Sequence, residues 1–263
     1  MLDPYFKRAF PLKHFKKQVY WLAREHRMLR DARAVCFTTA IERDSSAKTF
    51  WPGGWKSAVV SLGTSEPGGE PSTQREAFLS RFPGLRRRRF FLFLSRIHRK
   101  KGCDLLLEAF ARVAGQADLD LVMAGPDEEG LQPVLEAQAA RLGITGRVHW
   151  TGMLEGDVKW GALRAAEAFV LPSHQENFGI AVVEALACGV PVIISDKVNI
   201  WPEIAQDKAG IVKADTAEGT YQGMVAFLAM RPEERLQMIR NGIDCFRGRY
   251  EMGRSAAALN ELF

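Results

Sequence analysis

Two groups of residues have the types and spacing that chemistry needs. Ser95-Arg96 follows the apolar run Phe90–Leu94, and five residues later Lys101-Gly102 opens a helical pattern. An Arg at a strand end and a Lys at the next helix N-terminus put two cations beside a positive helix dipole, an anion site that suits a diphosphate. The second group is Pro172-Ser-His-Gln-Glu176-Asn-Phe-Gly179-Ile-Ala-Val-Val-Glu184. Glu176 lies in a loop, Gly179 permits a tight turn into a helix with free N–H groups, and Glu184 follows about one and a half turns later. Two carboxylates flanking a helix N-terminus suit the hydroxyls of a sugar and a ribose. Neither spacing is selective alone. With 36 Lys and Arg in the chain, an Arg-x4-Lys pair also reads as solvated surface, and two Glu eight apart are common.

The elements that must position these residues are legible from periodicity. Phe15, Val19, Leu22, His26 and Leu29 recur at helical steps over 14–33. A short strand at Val35–Phe37, a helix capped by Thr39 through Lys48 and a strand at Ala58–Leu62 follow. Residues 63–72, rich in Gly, Pro and Ser, read as a linker. Beyond it, apolar runs at Phe90–Leu94, Leu119–Ala124, Val148–Trp150, Phe169–Leu171, Val192–Ile194 and Ile211–Val212 are strand-length. Helical segments near 102–114, 128–142, 157–166, 179–188 and 199–206 separate most of them, and helices at 216–229, 232–245 and about 251–263 finish the chain. This alternation predicts an α/β fold, a Rossmann-like parallel sheet with helices on both faces. Residues 1–62 supply only the end of a second α/β domain, so the expected division is a remnant at 1–62, a linker at 63–72, a main domain at 73–246 and a C-terminal helix at 247–263.

Composition narrows the function classes. At 263 residues, 47% hydrophobic and 25% charged, the chain fits a folded α/β protein and not a collagen-like, disordered or disulfide-scaffold one. The most apolar stretch, Gly179–Ile194, carries Glu184 and Pro191 and is too short to span a bilayer. No secretory signal opens the chain, so the expected compartment is the cytoplasm. Cys36, Cys103, Cys188 and Cys245 lie far apart and read as reduced, mostly buried thiols. Residues 1–33 hold nine Lys and Arg against three acids, a surplus of six, while the whole chain nets +5. Arg81 to Lys101 adds nine more without an acid, including Arg86–Arg89. The positive charge is therefore local, which argues against nucleic acid and leaves a solvated face or a contact with anionic lipid for each cluster.

With these residues placed, the chain from about Val59 to Phe246 resembles the C-terminal half of the retaining family 4 (group 1) glycosyltransferases of the GT-B fold. The carriers are Leu94-Ser-Arg96-Ile-His-Arg-Lys-Lys101-Gly102, Met123-Ala-Gly-Pro-Asp127, Trp150-Thr-Gly152, the Glu176-x7-Glu184 string with its Phe178-Gly179 centre, and Gly189-Val-Pro-Val-Ile193. The resemblance implies that Arg96, Lys101 and Glu176 form the catalytic set. Arg96 and Lys101 would hold the departing diphosphate. Glu176 and the Asn177, Phe178, Gly179 and Ile180 backbone would contact the donor sugar, Glu184 the ribose, and Ser95 and Met153 would line the donor site. Ser95 stands where the family usually has Gly. The implied partners are a nucleotide-diphosphate sugar and a glycan or lipid-linked acceptor in polysaccharide or glycolipid synthesis, with a peripheral contact at the inner face of the membrane and no cofactor or metal. The first Rossmann-like domain of such enzymes carries a glycine-rich loop and a His without counterparts here, so the chain is expected to begin inside a longer reading frame.

Other signals weigh less. Asp118-Leu-Asp120 matches the Asp-x-Asp of metal-dependent transferases, but it precedes a strand, and a turn is the expected role. The five His show no ligand spacing; His98 and His174 sit at strand ends near the proposed site. A sugar-nucleotide epimerase, or a non-catalytic nucleotide-sugar-binding module that needs a partner chain, are the alternative functions.

Overall fold

In the computed structural model, which describes residues 11–262, the first helical pattern becomes α1 (Pro11–Tyr20), a π-helical turn (Trp21–Glu25) and α2 (His26–Asp31). The spacing marks the helix but not its buried face: Phe15, Val19 and Leu22 are exposed, whereas Trp21 is fully buried. The wider turn at Trp21 shifts the phase of the helix. The indole stacks on Phe50 with centroids 5.0 Å apart, meets Trp55 edge-on at 5.4 Å and donates to the Pro52 carbonyl at 3.0 Å. Strand β1 (Val35–Phe37) pairs in parallel with β2 (Ser57–Val59), and α3 (Ala40–Ser46) connects them. Thr39 caps α3 by accepting from the Glu42 N–H at 3.1 Å. These elements form one unit with the C-terminal residues from Met252 onward; Thr64–Glu251 forms the other.

The second unit begins where a linker was expected. The Thr64 N–H donates to the Tyr250 carbonyl, Arg247 pairs with Glu66, and Gln74 donates to the Gly68 carbonyl. Helix α4 (Pro71–Arg81) then starts within the Pro/Ser stretch, with Pro71 at its first position. Periodicity did not show it, because its buried face is only Gln74, Phe78 and Leu79.

Six parallel strands follow: β3 (Phe90–Leu94), β4 (Asp120–Ala124), β5 (Val148–Gly152), β6 (Ala168–Leu171), β7 (Val192–Ser195) and β8 (Gly210–Lys213). Their order is β5-β4-β3-β6-β7-β8. All of β3, β4, β6 and β7 is buried, as near-continuous apolar runs require when helices cover both faces. The connecting helices are α5 (Cys103–Ala114), α6 (Gln132–Arg141), α7 (Gly156–Ala165), α8 (Ile180–Ala187) and α9 (Trp201–Gln206). Helices α10 (Ala217–Ala229) and α11 (Pro232–Cys245), a π-helical turn at Phe246–Tyr250 and α12 (Met252–Asn260) complete the chain. Helix α4 packs on α7, α5 on α6 and α10, and α8 on α11. Crossovers running outward from β3 in opposite directions put their helices on opposite faces. Helix α12 groups with the first unit, while residues 247–251, expected with that helix, belong to the second. Among the described residues no helix is long and apolar enough to cross a membrane. All four cysteines are free, and burial pushes the Cys103 thiol up to about 12 and Cys188 up to about 11.

The basic cluster Arg86–Arg89 lies at the amino ends of the strands, opposite the expected anion site, and most of it is neutralised. Arg86 pairs with Glu76, Arg89 with Glu167, and Arg88 with Asp118 and Asp120. Asp120 is not a turn residue. It is a buried anchor whose carboxylate also accepts from Arg147 at 2.8 Å and His149 at 2.9 Å. Burial alone would raise its pKa, but hydrogen bonds from Arg88, His149 and Arg147 outweigh that and hold it at about 2. A carboxyl depressed from 3.8 in this way stabilises the fold above the unfolded value, and the contribution is lost as pH falls toward about 2. Asp120→Asn should therefore lower the unfolding free energy at pH 7 by about 2 kcal/mol and flatten its fall between pH 4 and 2. Urea unfolding across that range checks this; equal stability of the Asn variant at pH 7 would refute the role.

Candidate functional site

From β3 the chain runs through β4 to β5 on one side, then returns to β6 on the other side of β3. The carboxyl ends of β3 and β6 therefore border the switch point where open parallel sheets bind ligands. The loop after β3 carries Arg96 and Lys101, and the loop after β6 carries Glu176.

These loops are joined through their backbones. The Lys100 carbonyl accepts from the His174 N–H at 2.8 Å and from the Gln175 N–H at 3.4 Å. Gly102 adopts φ +66°, and a Cβ there would collide with the Pro172 carbonyl, so the loops approach to a distance only glycine allows. Across this junction Lys101 Nζ bonds Glu176 Oε2, with 12% and 18% of the two side chains exposed. Lys101 closes a short 3-10 turn, Arg99–Lys101, capped by His98. The His98 Nδ1 accepts from the Lys100 N–H at 3.0 Å, which places the ring proton on Nε2, and Nε2 reaches Glu129 at 3.1 Å. Arg96 is more exposed and pairs with Glu128, in the loop after β4, at 3.1 Å.

Ser95, standing where Gly was expected, needs no special backbone. Its N–H donates to the Ala124 carbonyl at 3.0 Å. The close approach is met from the other side: Gly125, at φ +145°, lies so near the Ser95 carbonyl that a Cβ would clash.

Glu176 is also fixed by its main chain, which accepts from the Asn199 N–H and donates to the Lys197 carbonyl, both at 3.0 Å. Asn177 Oδ1 accepts from Asn199 Nδ2 at 3.3 Å. Phe178 is buried and meets Tyr250 edge-on, with centroids 5.7 Å apart, so its ring holds the loop and only its backbone can face a ligand. Gly179 turns the chain into α8, whose first residue, Ile180, is exposed. Glu184, within α8, bonds Lys159 of α7 at 2.8 Å. Met153 is exposed just past the end of β5. His174 contacts Asp215 at 3.2 Å. The fold thus joins Lys101 to Glu176 directly, while Arg96 and Glu184 each meet a carboxylate or ammonium partner of their own. Sequence reading missed those partners, Glu128 and Lys159, since no local spacing signals a pairing across 32 or 25 residues.

Residues 78–244 match the family described as "Glycosyl transferases group 1". The chain belongs to that family. D-inositol 3-phosphate glycosyltransferases resemble it: that of Segniliparus rotundus is 31% identical over 188 residues, 70% of this chain and 40% of that protein. The Frankia alni protein is 31% identical over 192 residues, 70% of this chain and 46% of that protein. The chain spans less than half the length of these relatives. Among solved structures, sucrose-phosphate synthase from Thermosynechococcus elongatus superposes with a TM-score of 0.79 at 20% identity, over 98% of this chain and 63% of that one. The Anabaena HepE in complex with UDP and glucose gives 0.79 at 18% identity, over 93% and 66%. At such identities the shared property is the fold, the Rossmann-like α/β architecture of GT-B glycosyltransferases.

Within this group 1 glycosyltransferase domain, the Gly102 junction sets the spacing of the two loops. Gly102→Ala should lower stability by about 2 kcal/mol, from the left-handed backbone and the clash with Pro172. Gly84→Ala, where a Cβ meets no atom, should be neutral. Thermal unfolding of both variants checks this, and a Gly102→Ala protein of unchanged stability would refute the tight junction.

Proposed function

We propose that this chain is the donor-binding part of a glycosyltransferase that moves a sugar from a nucleotide-diphosphate sugar to an acceptor hydroxyl. Transfer proceeds with retention of configuration and without a metal. The observation that carries this reading is the Lys101–Glu176 pair at the β3/β6 switch point, with Arg96 on the same loop and the α8 N-terminus beside it. HepE, which shares the fold, was solved with UDP and glucose, and this supports a nucleotide sugar as the ligand class.

In this mechanism the bond between the anomeric carbon and the diphosphate oxygen breaks, and its electron pair leaves with the diphosphate. Arg96 and Lys101 neutralise that charge as it develops, where a preorganised site lowers the barrier most. The acceptor oxygen attacks from the same face, and its proton passes to the departing diphosphate. Glu176, paired to Lys101, positions the sugar and is not a covalent nucleophile. Asn177 to Ile180 offer backbone groups to the sugar, Glu184 accepts from the ribose, and Ser95 and Met153 border the nucleotide. The acceptor is a glycan or a lipid-linked sugar.

Titration of the intact chain with UDP and GDP in EDTA tests this. At least one should bind, and Arg96→Ala and Lys101→Ala should each weaken it by about 1–3 kcal/mol, the loss of a charge-assisted contact. A strict Mg²⁺ requirement, or affinity unchanged in both variants, would overturn the proposal.

A further inference from the structure

Glu184 has an arrangement that a merely buried carboxylate would not need. Lys159 Nζ donates to its Oε1 at 2.8 Å, and only 13% of the Glu184 side chain and 23% of the Lys159 side chain are exposed. The same ammonium lies 4.0 Å from the centroid of the Trp160 ring, and Trp160 packs against the core. Two restraints therefore hold the cation, and the cation holds one carboxylate oxygen. The other oxygen, Oε2, has no hydrogen-bond partner among the described residues and is not sealed from solvent. A carboxylate with one oxygen fixed and one presented is preorganised to accept from a hydroxyl.

The two partners come from opposite sides of the nucleotide site. Lys159 stands on α7, which starts three residues beyond Met153, whereas Glu184 stands on α8 behind the Glu176 loop. The contact thus ties the end expected to hold the base to the end expected to hold the sugar.

We propose that Lys159 is a positioning residue that gives this site its preference for ribonucleoside over 2′-deoxyribonucleoside diphosphates. The inference rests on the donor-site reading above. A ribose hydroxyl donates to Glu184 Oε2. A 2′-deoxyribose lacks that donor and leaves a desolvated carboxylate unsatisfied, and a site built around a hydroxyl discriminates most strongly against its absence. Without Lys159, the Glu184 side chain regains its rotamers and turns toward water, so the hydroxyl loses its advantage.

Calorimetric titration of the intact chain with UDP and 2′-deoxy-UDP, or the guanosine pair if GDP is the ligand, tests this. The native protein should bind the ribose form about tenfold more tightly. Lys159→Met should bring that ratio close to one and leave affinity for the deoxy form little changed, while Lys159→Arg preserves the ratio. In a Glu184→Gln background, Lys159→Met should change the ratio no further. Lys159→Gln gives the same readout if Met disturbs packing over Trp160. A native ratio near one, or a ratio that Lys159→Met and Lys159→Gln leave unchanged, would overturn the inference while the donor site stands. A native chain that binds neither UDP nor GDP would overturn both.

Discussion

Phe91 of β3 pairs with Leu121 of β4 on one edge and with Ala168 of β6 on the other, and this double pairing forces the chain to reverse direction across the sheet. The reversal separates the connections on either side of β3, so the loops after β3 and β6 border a crevice instead of being covered by a crossover helix. Every candidate ligand contact depends on that central strand. Its five residues, Phe90-Phe91-Leu92-Phe93-Leu94, are all buried. Such a run cannot tolerate a charge, and the first cation after it, Arg96, emerges where burial ends.

The two ends of the sheet use charge differently. At the amino ends Asp120, with only 3% of its side chain exposed, is surrounded by Arg88, Arg147 and His149. Removing one member of such a buried cluster strands the others, so its role is structural. At the carboxyl ends the ion pairs join separate elements, and the Arg96–Glu128 pair stays open to solvent, so a ligand can reach it. Arg86–Arg89 illustrates the difference. Its local density is compatible with a solvated face or an anionic lipid contact, and the fold supplies Glu76, Asp118, Asp120 and Glu167 as counterions.

The sequence reading reached the sheet and its connecting helices because apolar runs in a parallel sheet are uninterrupted and the helices between them are amphipathic. Five-residue β3 has the same bounds in sequence and structure. What escaped it depends on distance along the chain. Helix α4 buries too narrow a stripe to show a period, and the helical spacing over 14–33 does not show that Trp21, in a π-helical turn, is the buried residue. At the candidate site the residue types at strand ends were legible, since topology alone places them together. Their partners were not: Glu128 and Lys159 are ordinary surface-helix or loop residues until β4 and β5 bring them alongside. The Ser95 departure likewise resolves only in three dimensions, where Gly125, just past the neighbouring strand β4, supplies the space.

Among the described residues, three of the cation–carboxylate pairs near the carboxyl ends of the strands hold candidate site residues, and their exposure sets what each can do. Arg96 and Glu128 are 57% and 59% exposed, so water and salt screen their attraction, which contributes about 0–1 kcal/mol. On the proposed reading a diphosphate, with more charge and a geometry that matches the guanidinium fork, displaces Glu128 at little cost. Lys101–Glu176 and Lys159–Glu184 are mostly shielded, so water and salt screen their attraction much less. Those two pairs therefore persist when a ligand enters and act as fixed walls. The exposed pair is the one that exchanges. On that reading binding breaks one surface contact and orphans no buried charge, so the site is rigid where the proposed sugar would be oriented and labile where the proposed diphosphate would leave.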